Sequence, residues 1–307
     1  MKIGALAALA AAGVAAWGAV SLWKYRQIMP RPESLGKVSH PVRTQVRRIR
    51  YGEKEIFGVL LTPADVEGPL PAVICAHGFG VTYQMTRDCL GKSLAMSGYA
   101  AYCFDFCGGS PQSRSTGEFH DMTVPQEKED LLEIIDQVKT WPEVDRENLF
   151  LMGESQGGLI SGLAAVERQD DLQGLILYYP AFSIPEGARK MFRSREEIPA
   201  ENEAFGLALG GAYYEAIYDL DPFQIIGGFE KPVLILHGDA DDVIPHEVGL
   251  RAAKVYPNAR FVTLPGEVHG FKAAGKRTAA RLSYDFLEEH RKQAGEPAPE
   301  PKEEEKA

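Results

Sequence analysis

Leu149-Phe150-Leu151-Met152 runs directly into Gly153-Glu154-Ser155-Gln156-Gly157-Gly158. The first four residues are apolar and read as a strand, and the stretch Gln156–Glu167 that follows reads as a helix. Between them lies the pattern G-x-S-x-G, a serine on a sharp strand-to-helix turn. The turn needs its glycines, because side chains at Gly153 and Gly157 would clash across it, and Gly158 extends the clearance. The helix N-terminus behind Ser155 aims backbone N–H dipoles at the serine and favours negative charge developing there. The pentapeptide alone arises by chance; with a strand before it and a helix after it, Ser155 is a candidate nucleophile.

Outward from this turn, short β-rich runs alternate with amphipathic helical stretches. Strands are expected at Thr44–Arg50, Ile56–Leu61, Ala72–Ala76, Ala100–Phe104, Leu149–Met152, Leu175–Tyr178, Val233–Leu236 and Phe261–Leu264, the first two as a hairpin. Helices fit Thr86–Met96, Pro125–Lys139, Gln156–Glu167, Glu247–Val255 and Arg277–Arg291. The alternation predicts an α/β fold, with an eight-stranded, mostly parallel sheet covered by helices on both faces. One segment, Phe182–Phe229, is too long for an ordinary connection and carries the aromatic cluster Tyr213, Tyr214 and Tyr218. A structureless loop of that length is improbable in a compact domain. It is read as a small helical lid whose Tyr213 and Tyr214 contact substrate, against the alternative of a surface insertion without a role.

A serine hydroxyl is a weak nucleophile at neutral pH and needs an adjacent base; after G-x-S-x-G the chain order is Ser, acid, His. His40, His77 and His120 precede Ser155, His237 ends an apolar strand, His246 falls just beyond the acidic run and His290 sits on the last helix. His269 remains, in the loop Pro265-Gly266-Glu267-Val268-His269-Gly270-Phe271 after the final strand. The acid belongs after the preceding strand, where His237-Gly238-Asp239-Ala240-Asp241-Asp242 offers three aspartates. They cannot all be ionised and buried without cost, so one turns inward to the imidazole. The tetrahedral oxyanion of acyl transfer needs backbone donors. Gln156 N–H, just after the nucleophile, is one, and Phe79 N–H in His77-Gly78-Phe79-Gly80 is the other; His77 itself is read as stabilising that loop by hydrogen bonds.

These motifs stand in a recognisable order. The His-Gly-Phe loop is followed by Asp105-Phe106-Cys107-Gly108-Gly109 and by Gly117-Glu118-Phe119 leading to Asp121-Met122-Thr123-Val124-Pro125. The Gly-Glu-Ser-Gln-Gly-Gly turn, His-Gly-x-x-Asp and a second His-Gly-Phe complete the series. Together they resemble the cinnamoyl or feruloyl esterase-like branch of the α/β-hydrolases, close to the serine aminopeptidase-type group, over about Arg43 to His290. The resemblance implies the α/β-hydrolase fold across residues 43–292, with the insertion at 182–229. It implies a Ser155, His269, Asp241 triad, oxyanion donors at Phe79 and Gln156, a small-molecule ester as substrate and no cofactor. Cys107 departs from the polar residue often found at its place, which weakens inference about substrate more than about chemistry. A peptidase or thioesterase with the same triad is the alternative, and a catalytically inactive, membrane-tethered binding protein is the alternative of another class.

The 307 residues, 45% hydrophobic and 25% charged, fit one ordinary globular domain. The net charge of −10, without a basic stripe, disfavours a nucleic-acid partner. Cys75 and Cys103 fall inside apolar runs, and the four cysteines read as buried thiols. No metal site is assigned, since Cys103 and Cys107 have no second pair at a suitable distance. No oligomeric state follows.

At the N-terminus Ile3–Trp23 is uncharged and, at roughly 20 residues, long enough to cross a bilayer. Within the N-terminal region 1–30 it is read as an uncleaved anchor; a signal peptide cleaved after Ala16-Trp17-Gly18, giving a secreted protein, is the alternative. Lys24, Arg26, Arg31 and Lys37 make its C-terminal flank basic, which places the protein at a membrane with the catalytic domain in the cytoplasm. Residues 294–307, rich in Pro and Glu, are expected to form a disordered acidic tail.

Overall fold

The computed structural model describes residues 29–292. Eight strands form the main sheet: β1 (Val42–Tyr51), β2 (Lys54–Pro63), β3 (Leu70–Ala76), β4 (Ala100–Phe104), β5 (Val144–Glu154), β6 (Gly174–Tyr178), β9 (Val233–Gly238) and β10 (Ala259–Leu264). A separate two-stranded sheet holds β7 (Glu201–Ala204) and β8 (Leu207–Gly210). The main sheet has the order β1-β2-β4-β3-β5-β6-β9-β10. β1 and β2 form the expected hairpin, β2 runs antiparallel to β4, and every pairing from β4 to β10 is parallel.

The central strands are apolar nearly throughout because both of their faces are covered, as parallel sheets require. Alternate residues of one strand therefore enter different cores. Ile74, Leu149, Leu151, Leu175, Leu177 and Ile235 belong to one apolar layer, whereas Val73, Phe150, Met152, Ile176, Leu234 and Leu236 belong to the other. The first layer takes in apolar residues of α2 (Val124–Val138) and α3 (Gln156–Glu167); the second takes in those of α1, continuous over 83–96 with a π turn at Arg87–Gly91, and of α7 (Ala273–His290). Fully burying each Leu, Ile or Phe stabilises the fold by about 1.5–3 kcal/mol. All four cysteines are free and buried, as expected.

The segment 182–229, expected as a small helical lid, holds a β-hairpin beside its helices. It holds α4 (Ile184–Met191), the hairpin β7–β8 and α5 (Gly211–Ile217). Ala204 pairs with Leu207 across Phe205-Gly206, and both turn residues take positive φ, 53° and 78°. Strands of four residues give too short an alternation for hydrophobic period to reveal.

The expected anchor Ile3–Trp23 and the acidic tail lie outside the described residues. The expected location, held at a membrane by a spanning N-terminal helix, is corrected: no helix among the described residues is long and apolar enough to cross a membrane.

Candidate active site

Every residue selected for acyl-transfer chemistry lies just beyond the C-terminal end of a strand: Phe79 after β3, Ser155 after β5, Asp241 after β9 and His269 after β10. Parallel strands end on one edge, so loops far apart in sequence converge there, at the edge where open α/β sheets bind ligands.

Ser155 has φ 52° and ψ −118°, in the left-handed half of backbone space. Such a geometry costs a non-glycine residue on the order of 1–3 kcal/mol and survives only where the surroundings over-determine it. The surroundings here are tight. A Cβ on Gly153 would lie 2.4 Å from Gly157 O, and one on Gly157 would lie 2.3 Å from His77 O. Ser155 N–H donates to Tyr178 O at 3.0 Å, and its own carbonyl accepts from Gly158, Leu159 and Ala181.

His269 Nε2 stands 3.1 Å from Ser155 Oγ, and His269 Nδ1 stands 2.9 Å from Asp241 Oδ2. Of the three aspartates, Asp241 is the one that meets His269. The Asp241 side chain is fully buried, while Asp239 and Asp242 are exposed, Asp239 accepting from Gly266 N–H in a turn. Asp241 Oδ1 also accepts from Val243 and Ile244 N–H, both at 2.9 Å. Burial works to raise its pKa, but hydrogen bonds from His237, His269 and Ile244 outweigh burial and hold the carboxyl well below the usual range.

His237 was passed over in the sequence because it could not be the base. Its Nε2 lies 3.0 Å from Ile244 O and 3.3 Å from Asp241 Oδ2, with both side chains fully buried. Both neighbours are acceptors, so Nε2 carries the hydrogen. Its signal in the sequence was its place four residues before Asp241.

The 77–80 loop is fixed by a second buried histidine. Phe106 N–H donates to His77 Nε2 at 3.2 Å, so Nδ1 carries the hydrogen and donates to Gly78 O at 2.7 Å. Burial keeps the His77 pKa below its ordinary value. His77 thus stabilises the loop, as its sequence reading has it. Among the described residues no carbonyl or side chain takes the N–H of Phe79 or of Gln156.

A buried polar chain backs the second of these donors. Gln156 Nε2 donates to Glu127 Oε2 at 2.7 Å, and Tyr213 O–H donates to Gln156 Oε1 at 2.6 Å. Burial pushes the Glu127 carboxyl up to about 8, the Gln156 hydrogen bond opposing the shift and the Asp130 charge adding to it. Tyr213 and Tyr214, expected against substrate, are both buried, and Tyr214 O–H accepts from Asn202 at 3.1 Å. Both lie within the insertion 182–229, Tyr213 also edge-on to Phe79 with ring centroids 6.2 Å apart.

Four non-glycine residues among those described have positive φ: Ser155, Tyr179, Phe205 and Phe271. Tyr179 lies against His269 with ring centroids 4.6 Å apart and against Phe271 at 4.7 Å. Backbone strain is thus gathered around the Ser155–His269 pair.

Residues 68–201 match the family described as serine aminopeptidase, S33, and residues 221–297 match that of TAP-like proteins. Est1E from Butyrivibrio proteoclasticus, solved with ferulic acid bound, superposes with a TM-score of 0.73 at 28% identity, over 80% of this chain and 98% of that one. Among curated proteins, the bifunctional esterase/perhydrolase DCH of Acinetobacter calcoaceticus is 34% identical over 85 residues, 26% of this chain and 31% of that protein. The mitochondrial palmitoyl-protein thioesterase ABHD10 of Bos taurus is 22% identical over 200 residues, 61% of this chain and 62% of that protein. The chain therefore spans less than two thirds of the length of either curated relative.

Proposed function

We propose, for a chain that is an α/β-hydrolase similar to the feruloyl esterases, that it cleaves carboxylic esters of small molecules through an acyl-enzyme on Ser155. The observation that carries this reading is the continuous run from Ser155 Oγ through His269 to a buried Asp241 whose pKa is depressed.

In the proposed reaction His269 Nε2 takes the Ser155 proton as Oγ attacks the ester carbonyl, and the Asp241 carboxylate stabilises the imidazolium. Phe79 and Gln156 N–H receive the oxyanion. His269 then protonates the departing alcohol, and water, activated by the same imidazole, releases the acid. No step needs a cofactor. The insertion 182–229 closes the site from above, with Tyr213 tying it to Gln156. The relative named an esterase/perhydrolase and the ferulic acid held by Est1E support an ester over a peptide bond; the palmitoyl-protein thioesterase makes a thioester the second substrate to try.

The test is turnover of an ester series, a thioester series and aminoacyl amides by the purified chain, with fluorophosphonate labelling. Ser155→Ala and His269→Ala should each lose roughly three orders of magnitude or more in kcat, because triad members act as a unit. Labelling should vanish in Ser155→Ala. Substantial turnover by folded Ser155→Ala removes the assignment.

A further inference from the structure

Tyr179 follows β6 directly and takes φ 37°, in the left-handed region where a bulky aromatic residue is an outlier. Its N–H donates to Leu236 O at 2.8 Å, so the main sheet holds the strained backbone in place. The side chain delivered by this strain is buried and meets the imidazole of His269, with ring centroids 4.6 Å apart and planes at 59°. Strain of this kind, on the order of 1–3 kcal/mol, clusters at active sites.

The Tyr179 ring is fixed from two further directions. Phe271, itself at φ 49°, stands edge-on to it at 4.7 Å. The Tyr179 hydroxyl donates to the carboxyl of Glu154, the residue just before Ser155. Glu154 is buried, and burial pushes its carboxyl up to about 7, against the Lys276 charge and the hydrogen bonds from Cys89 and Tyr179. A phenol that donates to a carboxylate is polarised by it, and its ring gains electron density.

Both nitrogens of His269 are engaged, Nδ1 with Asp241 and Nε2 with Ser155 Oγ. Tyr179 therefore acts on the imidazole through its ring alone. A cation within about 6 Å of an aromatic centroid is drawn to the ring, more strongly where water is excluded. His269 becomes a cation only as it takes the Ser155 proton, so the attraction is larger in the transition state than before it, which is the condition for acceleration.

We propose that Tyr179 is a positioning residue, a role that rests on the serine-hydrolase reading of Ser155: its ring, held by Glu154, seats His269 and stabilises the imidazole once it carries the Ser155 proton. Asp241 supports that charge through a hydrogen bond, and Tyr179 supports it through the π system.

Phenylalanine, monofluorophenylalanine and trifluorophenylalanine, placed at position 179 by nonsense suppression, keep the ring and nearly its volume while draining its face of electrons. With p-nitrophenyl acetate, kcat should fall stepwise along this series, by about tenfold from first to last, with KM within about twofold and the thermal midpoint held. Equal kcat across the series means that the ring only packs, and overturns the role. Glu154→Gln keeps an acceptor for the hydroxyl but not the charge, and should lower kcat by about threefold in the parent and hardly at all in Tyr179→Phe. Equal losses in both backgrounds overturn the link through Tyr179. If the parent does not turn over the ester, the esterase reading falls separately, and the rate of fluorophosphonate labelling at Ser155, which uses the same imidazole, is read across the series. A stepwise fall then upholds the role of Tyr179 and equal rates overturn it; a parent that neither turns over nor labels removes the serine-hydrolase reading and this role together.

Discussion

His237 and Asp241, four residues apart at the end of β9, are joined by a buried contact of 3.3 Å between Nε2 and Oδ2. The same oxygen receives His269 at 2.9 Å, so the carboxylate is gripped from both sides by imidazoles with different duties. His269 faces Ser155, whereas His237 Nε2 meets Asp241 and Ile244 O. The buried His237 Nδ1 has no hydrogen-bond partner among the described residues, and a Cβ at position 249 would come within 2.6 Å of it, so Gly249 in the helix His246–Val255 is what leaves the ring its room.

Replacing His237 by Phe should therefore lower kcat by about 10- to 100-fold, the worth of one hydrogen bond to a charged group, with little change in KM. His237→Gln retains an N–H donor and should recover part of the rate. Steady-state kinetics on folded variants give the answer; parental kcat in His237→Phe would show that Asp241 needs no second holder.

Among the three aspartates, Asp241→Asn should reduce kcat most severely, toward the roughly 10⁴-fold seen when a serine-protease triad loses its acid. Asp242→Asn and Asp239→Asn, both altered at exposed positions, should stay within about tenfold of the parent, as surface changes rarely propagate further. A crippled Asp242→Asn would move the acid by one residue.

Glu127 makes stability depend on pH. Its folded pKa, raised by burial to about 8 from the ordinary 4.5, means that the folded chain binds the proton more tightly than the unfolded chain. Stability therefore falls as pH rises through that window, by up to about 1.4 kcal/mol per unit from this group. Glu127→Gln keeps the shape and the acceptor for Gln156 but has nothing to titrate. Urea unfolding between about pH 5 and pH 8 should show a shallower decline for the variant than for the parent. Parallel declines would mean that Glu127 ionises freely in the folded chain.

Tyr213→Phe removes the hydroxyl that caps Gln156 Oε1. Leaving that oxygen buried and unpaired should cost about 1–3 kcal/mol of stability. Because the defect lies behind the oxyanion donor, rates on short and long esters should fall together. A change in ester preference without loss of stability would instead put the Tyr213 hydroxyl in contact with substrate.

Much of this was readable from residue order. Val233–Leu236 and Leu149–Met152 announce buried parallel strands because they have no polar face to show, and the glycines around Ser155 mark a turn that few other sequences permit. What stayed hidden depends on pairing across the chain. Tyr213 and Gln156 are 57 residues apart, Gln156 and Glu127 29 apart, and no local pattern ties such partners together. The clustered tyrosines Tyr213 and Tyr214 were visible in the sequence, but their burial and their hydrogen bonds to Gln156 and Asn202 were not. Phe205 escaped notice because a single aromatic before a glycine is unremarkable until its φ is known.

The hairpin that carries Phe205 hydrogen-bonds as a sheet only to itself, and β6 and β9, the strands on either side of the insertion, are adjacent in the main sheet without it. Mutation, insertion or exchange within 201–210 consequently leaves the strand order and the Ser155, Asp241 and His269 loops with their own supports. Such an arrangement makes 201–210 a ten-residue cassette that can be exchanged at small risk to the folding of the main sheet.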